Sequence, residues 1–549
     1  MSLVSSYRRI LSGASLAFAL VLLLAVPAQA RPLNEVLPQF DRDVERIFGA
    51  YHVPGAALAI VQNGKVVYIK TLGVGSTKTR NPVNPHTVFR LASVSKTFAA
   101  VLAGQAAYEG QIRYSDPLSR YLPGFRLKYD PQQRLTLRNV LSHTSGLPHN
   151  ANDHLLESGE SYSALLQKTQ RLGASCQIGR CFGYQNILYS TIGDVLSRQL
   201  GHSYADLLSN RLFRPLGMSD ASTGRWSMLN NRNVAVPHVK GGGGWVPRAI
   251  TQPYYNVLPA AGVNASITDM SKYLAAVMGY RPDVIPPAVM AELTRPVVRS
   301  PKEGATSKWR QTRIKQPMYG MGWRIFQYNG NHKMIFHAGG LSGVRSRLGF
   351  LPEKNIGLVM MWNANESRPE VLMPMLFDRL LDLPAVDYLD GAASSGAGFY
   401  TNRQTVTTPV AASAVAATAA ATSALTARKA AVRNPPAASY RSKPTVPRSG
   451  AVTQAVVEPK PVAAQQYGVT VDSDGIRSLT AQRVGYDPAT GPTLQARQVT
   501  QVKAPSSVKK QNSRSVSAKK TSVKSTQAKK KSGKKKKTPA RSTKHKTRY

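Results

Sequence analysis

Cysteine is scarce in this sequence, and acidic residues are few. The two cysteines among 549 residues, Cys176 and Cys181, have no second Cys or His pair nearby, which excludes a zinc site of the usual ligand spacing. Asp and Glu total 28 against 72 Lys and Arg, so the net charge is +44. We expect no metal and no cofactor. In an exported protein the two cysteines suit a short-loop disulfide, with two free thiols as the alternative.

Long apolar runs are lacking after residue 30. Residues 1–30 carry Arg8 and Arg9 before an apolar stretch and end in Ala28-Gln29-Ala30, the pattern of a signal peptide with its cleavage site. The apolar stretch is short for a membrane span, and an uncleaved anchor is the alternative. We therefore expect a periplasmic or secreted protein without a transmembrane span after signal removal.

The composition changes near Asp390. Residues 391–500 are rich in Ala, Pro and Ser without apolar periodicity, and residues 501–549 hold 18 Lys and Arg with no Asp or Glu. Such segments cannot bury a core, and like charges repel one another. We expect a linker followed by a polybasic disordered tail. An anionic envelope polymer or lipid is the partner expected for the tail, because export argues against nucleic acid.

Strand patterns stand at both ends of residues 31–390. "AALAIVQNGKVVYIKTLG" contains two apolar runs around Asn63-Gly64, a hairpin signal, and "KMIFHAGG", "SRLGFLP" and "NIGLVMMWN" predict three more strands. Between them the pattern is mainly helical, as at Ser95–Tyr108, Tyr189–Leu200 and Thr268–Met278. This order predicts an α+β fold, an antiparallel β-sheet flanked by helices with an inserted, mostly helical domain. A site would lie at their junction.

One helix start places a serine beside a lysine. In "RLASVSKTF", Ser93 and Lys96 are three residues apart and share a helix face. A serine hydroxyl needs a neighbouring base, and a lysine serves if burial lowers its pKa. Ser-x-x-Lys recurs in the tail at Ser506, Ser517 and Ser532, so the spacing alone decides nothing.

Two further motifs could complete a site. Tyr184 and Asn186 stand on a turn before an apolar helix, and His337-Ala338-Gly339-Gly340 ends a strand. A tyrosine beside a cation can act as base or proton shuttle, and an asparagine offers both donor and acceptor to a substrate amide. The glycines would let a substrate backbone lie along the strand edge.

Taken together, these motifs resemble those of the penicillin-recognising serine hydrolases, specifically the class C β-lactamase and DD-peptidase-like branch. The matching boxes are Ser93-Val94-Ser95-Lys96, Tyr184-Gln185-Asn186 and His337-Ala338-Gly339, in that order. The stretches "LRNVLSHTSGLP", "PAAGVNASITDMSKYL" and "GFLPEKNIGLVMMWN" resemble the family too. The resemblance covers roughly residues 36–388 and implies a β-lactamase/transpeptidase-like fold.

The resemblance also implies a role for each residue. Ser93 would form an acyl-enzyme, and Lys96 and Tyr184 would share the acid and base steps. Asn186 would hold the substrate amide. The backbone N–H groups of Ser93 and Gly340 would form the oxyanion hole. His337 would tune nearby protons or contact the substrate, beside Gly339 on the same strand.

Two positions depart from the family pattern. Ala338 lacks the hydroxyl that often binds a substrate carboxylate there, and His337 replaces a permanently charged lysine. Arg345 or Arg347 could supply the lost contact, with a solvated strand residue as the alternative for each. We interpret His143 as a structural residue that holds its loop, because Lys96 and Tyr184 already fill the base role.

These observations favour an exported serine hydrolase that acts through an acyl-serine on peptides, amides or esters. A cell-wall peptide ending in D-Ala, as for a DD-carboxypeptidase or penicillin-binding protein, or a β-lactam-like compound is the expected substrate. A small-ester carboxylesterase of the same family is one alternative. A catalytically dormant envelope-binding protein, tethered by its polybasic tail, is another.

Overall fold

The computed structural model describes residues 31–389 except 131, together with the backbone of strands at 403–406, 466–471, 477–487 and 491–495. The chain divides into two compact units, Met1–Arg433 and Asn434–Tyr549. The predicted signal peptide and the polybasic segment 501–549 lie outside the described residues. None of the helices in the described part of the chain is long and apolar enough to cross a bilayer.

The first unit is organised around a nine-stranded sheet. The strands of this unit are β1 Gly55–Gln62, β2 Lys65–Gly73, β3 Phe89–Arg90, β4 Ser222–Thr223, β5 His238–Gly241, β6 Gly244–Pro247, β7 Val263–Ala265, β8 Val298–Arg299, β9 Ile314–Tyr319, β10 Arg324–Tyr328, β11 His332–Leu341, β12 Val344–Leu351, β13 Ile356–Trp362 and β14 Arg403–Val406. The order in the nine-stranded sheet is β14-β2-β1-β13-β12-β11-β10-β9-β8, and every neighbouring pair is antiparallel.

Helices cover both faces of this sheet. The α-helices are α1 Leu33–Ala50, α2 Ser95–Tyr108, α3 Leu118–Tyr121, α4 Leu137–Leu141, α5 Asp153–Glu157, α6 Tyr162–Gln170, α7 Ile187–Leu200, α8 Tyr204–Leu208, α9 Gly224–Leu229, α10 Leu258–Ala261, α11 Ile267–Ala275, α12 Pro287–Leu293, α13 Pro301–Gly304, α14 Lys308–Arg313 and α15 Leu372–Leu380. Most of them come from the segment between β2 and β8, which confirms the predicted helical insertion.

The β1–β2 hairpin shows how the local sequence directs the fold. Gln62 pairs with Lys65, and the two turn residues Asn63 and Gly64 have φ of 50° and 74°. Positive φ at both positions is what a two-residue hairpin turn requires, and Asn-Gly adopts it readily. The predicted hairpin is therefore confirmed.

Alternation along β1 divides the apolar core in two. Ala57, Ala59 and Val61 join the cluster that contains α2, α7 and α11, whereas Leu58 and Ile60 join a second cluster with α1 and α15. The central strands are therefore buried on both faces. The helical insertion lies on the first face, where the candidate site is found.

The second unit contains a three-stranded antiparallel sheet, β15 Gln466–Val471, β16 Arg477–Asp487 and β17 Gly491–Gln495. Strands β14–β17 thus lie within the segment 391–500, which is predicted from its composition to be a linker. The domain boundary at residue 390 stays a prediction.

Candidate active site

Ser93 lies on a turn between the sheet region and the first long helix of the insertion. The 3₁₀ turn Ala92–Val94 follows β3 and leads directly into α2, and Ser93 is half-buried between the buried side chains of Leu91 and Val94. Ala92, immediately before it, has a φ of +48°. A side chain other than glycine is strained in this region, and such strain is often concentrated at functional sites.

Lys96 is completely buried one turn after Ser93. Its Nζ donates to Asn186 Oδ1 at 2.6 Å and to the Ala260 carbonyl at 3.1 Å, and it lies 4.6 Å from the centre of the Tyr184 ring. Burial lowers the pKa of Lys96 well below its usual value, although the charge of Asp153 opposes the shift. A lysine in this state is suited to accept a proton.

Tyr184 stands on the loop before α7, with its hydroxyl buried. Burial raises the pKa of this phenol, while the charge of Arg324 and an interaction with the Ser93 hydroxyl act in the opposite direction. The phenol therefore holds its proton at neutral pH. The hydroxyl has no hydrogen-bond partner in the described part of the chain, and its share in the acid and base steps stays a prediction.

Asn186 connects the lysine to a buried carboxyl group. Its Oδ1 accepts from Lys96, and its Nδ2 donates to Asp153 Oδ2 at 2.7 Å. Burial raises the pKa of Asp153, whose Oδ1 has no hydrogen-bond partner among the residues that the structure describes. Both ends of the Asn186 side chain are therefore already bonded, to Lys96 and to Asp153. The predicted contact with a substrate amide would have to be made by this same side chain.

His143 holds the Tyr184 loop in place. Its Nδ1 accepts from the Gln185 N–H at 3.1 Å, its carbonyl accepts from the Gly183 N–H at 2.8 Å, and its ring lies 4.3 Å from that of Tyr184. This is the structural role interpreted from the sequence. Cys176 and Cys181 form a disulfide in the segment that leads to this loop.

Strand β11 forms the opposite wall of the site. Arg324, the first residue of β10, pairs with Phe336, so His337–Gly340 extend beyond β10. A Cβ on Gly339 would lie 2.2 Å from the Leu91 carbonyl oxygen and 3.2 Å from the Ser93 nitrogen. Only glycine allows this approach, which brings the strand against the serine turn.

His337 is fully buried and neutral. Its Nε2 lies 3.3 Å from the Tyr319 hydroxyl and its Nδ1 3.0 Å from the Ala338 carbonyl. Because a carbonyl only accepts, Nδ1 carries the proton and Nε2 accepts from Tyr319. Burial lowers the pKa of His337 well below its usual range, and the charges of Arg324 and Lys96 lower it further.

Residues 40–377 match the sequence model of the Beta-lactamase family. The chain belongs to this family. This is a family of serine hydrolases. The structure brings together the residues to which the sequence resemblance points, namely Ser93, Lys96, Tyr184 and strand β11. The narrower assignment to the class C and DD-peptidase-like branch stays a prediction.

Named relatives of the family are distant. Protein flp of Staphylococcus aureus (strain N315) is 25% identical over 351 residues, a match that covers 61% of this chain and 64% of flp. The chain thus spans less than two thirds of that relative's length. A relative named Beta-lactamase from Escherichia coli (strain K12) is 26% identical over 378 residues, which are 62% of this chain and 92% of the relative.

Solved structures of similar proteins show the same fold. The octameric penicillin-binding protein homologue from Pyrococcus abyssi has a TM-score of 0.57 at 21% identity and covers 63% of this chain and 78% of its own. The penicillin binding protein from Bacillus halodurans has a TM-score of 0.51 at 21% identity and covers 60% and 98%.

The geometry of this family member does not favour the roles predicted for Arg345 and Arg347. Gly339 and Ser346 are opposite each other and face Leu91, to which Ser346 Oγ donates at 2.6 Å. Gly340 and Arg345 form the next pair, so Arg345 lies on the other sheet face. Its Nη1 donates to the carbonyls of Leu341 and Val344.

Arg347 is also engaged elsewhere. Its Nη1 donates to the Gly339 carbonyl at 2.9 Å, and its Nε is bonded to Glu370. It therefore supports strand β11 from the face opposite Ser93.

Three charged residues of the site were missed from the sequence. Asp153 contacts Asn186, and Arg324 lies over the Tyr184 ring at 5.7 Å while Glu303 pairs with it. None of them belongs to a motif. Arg324 could have been found from its position on β10, the strand that pairs with β11. The stretch "YGMGWRIF" was, however, not predicted to be a strand.

Proposed function

We propose that this protein is a serine hydrolase that forms an acyl-enzyme on Ser93. The observation that carries the proposal is the fully buried Lys96 amine, one helical turn from the serine and bonded to Asn186. A lysine whose pKa is lowered by burial supplies the base that a serine nucleophile needs. The family assignment gives independent support.

In the first half of the reaction, Ser93 Oγ attacks the substrate carbonyl carbon while its proton passes to Lys96, with the Tyr184 hydroxyl as relay. The negative charge on the substrate oxygen is stabilised by the backbone N–H groups of Ser93 and Gly340, each worth about 3 kcal/mol. The bond to the leaving nitrogen or oxygen then breaks, and Tyr184 returns the proton to it.

Hydrolysis completes the cycle. A water molecule gives its proton to the same base and its oxygen to the acyl carbon, and Ser93 recovers its hydrogen as the acid leaves. Cell-wall peptides ending in D-Ala, β-lactam-like compounds and small esters all contain a carbonyl that suits these steps. The name of the Escherichia coli relative supports the β-lactam-like class.

The proposal is tested by covalent labelling of the full chain. A fluorescent penicillin and a fluorophosphonate should each modify the wild type, and mass spectrometry should place the adduct on Ser93. Ser93→Ala should lose the adduct. Ser95→Ala is the matched control, because Ser95 Oγ accepts from the Val263 N–H and takes no part in the proton relay. If neither probe forms an adduct on Ser93, the proposal is refuted.

A dormant binding protein would behave differently. Hydrolysis of p-nitrophenyl acetate at equal rates by the wild type and Ser93→Ala would favour that alternative.

We also infer export and attachment to an anionic envelope polymer or lipid, supported by the leader pattern of residues 1–30 and the 18 basic residues of 501–549. Removal of 501–549 should reduce salt-sensitive sedimentation with cell envelopes.

A further inference from the structure

Asp153 is a buried carboxyl group that gains little stability from its surroundings. It is the first residue of α5, it is 9% exposed, and its Oδ2 accepts from Asn186 Nδ2 at 2.7 Å. This is its one side-chain hydrogen bond in the described part of the chain, because Oδ1 has no partner there. Burial raises the pKa of Asp153. Burying such a group costs stability unless it is well paired, so its position calls for another explanation.

Asn186 has two neighbours that require opposite ends of its amide group. Lys96 Nζ donates to Oδ1 at 2.6 Å, and Nδ2 donates to Asp153. An amide that turned over would present its oxygen to the carboxylate, and two acceptors cannot form a hydrogen bond with each other. The carboxylate therefore allows one orientation of the Asn186 side chain.

This orientation matters because of the protons on the Lys96 amine. A neutral amine has two N–H groups and one lone pair. The Asn186 oxygen and the Ala260 carbonyl, at 2.6 Å and 3.1 Å from Nζ, accept from the two N–H groups. The lone pair is then left for the Ser93 proton. If the amide presented Nδ2 instead, that N–H group would donate to the lone pair, and the base would be occupied.

Backbone hydrogen bonds, rather than its own carboxyl group, hold Asp153 at this position. The Asp153 N–H donates to the Asn150 carbonyl at 3.1 Å, and the Asn150 N–H donates to the Tyr184 carbonyl at 2.7 Å. The Tyr184 N–H donates to His149 Nδ1 at 3.2 Å. The two loops are thus joined without the Asp153 side chain, and we expect variants of that side chain to keep them in place.

We propose that Asp153 is a positioning residue for the catalytic base: its carboxylate holds Asn186 with the amide oxygen toward Lys96, which keeps the amine lone pair free. Asp153 acts through Asn186 and makes no bond to the reacting atoms. This inference rests on the proposed acyl-serine function and adds a residue to its proton transfer.

The charge of Asp153 has a second effect. It raises the pKa of Lys96, against the larger effect of burial, while the charge of Arg324 lowers it. Removing the carboxylate should therefore lower this pKa further, so that the amine loses its proton at a lower pH. The other titratable side chains around the pair are unchanged in such a variant; they are Tyr184, Tyr189, His143 and His337 beside Lys96, and His154, Glu157 and Tyr254 beside Asp153.

The rate at which a fluorophosphonate labels Ser93, measured against pH on the full chain, tests both effects. Ser93 Oγ forms a bond to phosphorus, fluoride leaves, and the serine proton passes to the base. Asp153→Leu removes the acceptor and the charge, whereas Asp153→Asn removes the charge and keeps an acceptor for Asn186 Nδ2. Asp194→Leu is the matched control, because burial also raises the pKa of Asp194 but its carboxylate accepts from Tyr162.

At the high-pH plateau, Asp153→Leu should be labelled at least about tenfold more slowly than the wild type, since a hydrogen bond must break before the lysine accepts the proton. Asp153→Asn should stay within about threefold of the wild type, because the acceptor is retained. In both variants the midpoint of the pH profile should move to lower pH. Asp194→Leu should change neither quantity. A purely structural role for Asp153 would change the thermal stability, but neither the plateau rate per folded molecule nor the midpoint.

The outcomes separate this inference from the function on which it rests. If the wild type is not labelled on Ser93, the acyl-serine function is wrong and this inference falls with it. If the wild type is labelled but Asp153→Leu reaches the same plateau, or Asp153→Asn loses as much rate as Asp153→Leu, the positioning role is overturned while the function stands. Should Asp153→Leu fail to fold in a thermal-unfolding assay, Asp153→Ala takes its place. Its plateau should fall and be partly restored by formate, a small carboxylate, and an unchanged plateau would overturn the role.

Discussion

Glu370 binds Arg347, which supports strand β11 from the face opposite Ser93. Its contribution to the free energy of unfolding can be measured as a function of pH. Its Oε1 accepts from Trp309 Nε1 at 2.8 Å and from Arg310 Nη2 at 2.9 Å, and its Oε2 is bonded to Arg347. Burial would raise the pKa of this carboxyl group, but the charges of Arg310 and Arg347 dominate and lower the pKa from 4.5 to about 2. The carboxylate is therefore favoured in the folded state.

The magnitude follows from linkage. A carboxyl group whose pKa falls to about 2 on folding stabilises the folded state by ~3 kcal/mol. This stability is fully present above the unfolded pKa of 4.5 and is lost as the pH falls toward 2. In Glu370→Gln the two arginines lose their counter-charge, so we expect a loss of ~3 kcal/mol at neutral pH.

Urea unfolding followed by tryptophan fluorescence is a suitable assay, since Trp309 contacts the carboxylate. The difference in unfolding free energy between wild type and Glu370→Gln should be largest at neutral pH and should shrink as the pH falls through the range between 4.5 and about 2. Glu353→Gln, which removes a more exposed carboxylate beside His332, is the control. A difference that stays constant with pH would refute the linkage argument.

Two further outcomes are expected. The rate of Ser93 labelling should rise with pH as Lys96 loses its proton through its lowered pKa, and Lys96→Arg should slow labelling by ~10²–10⁴-fold; a flat profile would contradict this. Gly339→Ala places a Cβ 2.2 Å from the Leu91 carbonyl and should destabilise the protein by ~1–3 kcal/mol with loss of labelling, whereas Gly124→Ala, with open space around it, should change neither.

The sequence predicted elements whose signals are local. The helix Ser95–Tyr108 has the bounds that its pattern predicted, and Asn63-Gly64 forms the expected hairpin. Strands β9 and β10 were missed, because β9 contains Pro317 and β10 is short. The pairing of β1 with β13 could not be predicted from local patterns either, because the two strands are far apart in the sequence.

The site divides in the same way. Ser93, Lys96 and Tyr184 belong to motifs with recognisable spacing, and the structure brings them together. Arg324, Glu303 and Asp153 carry no motif, and each is defined by a buried partner that is remote in sequence. Burying a charge costs free energy unless the charge is paired, so a charged residue is expected at the surface unless its partner is known.

The pairing of segments that are far apart in the sequence has a consequence for timing. Leu91 meets Ser346 across 255 positions, and the Gly55 N–H meets Asn363 across 308. Contacts between such distant residues form late, because a long loop must be closed before they contribute. Ser93 is synthesised early, but strand β11 and Ser346, which lie against the serine turn, follow only about 250 residues later. A partly synthesised or unfolded chain therefore carries its nucleophile without a reactive pocket around it.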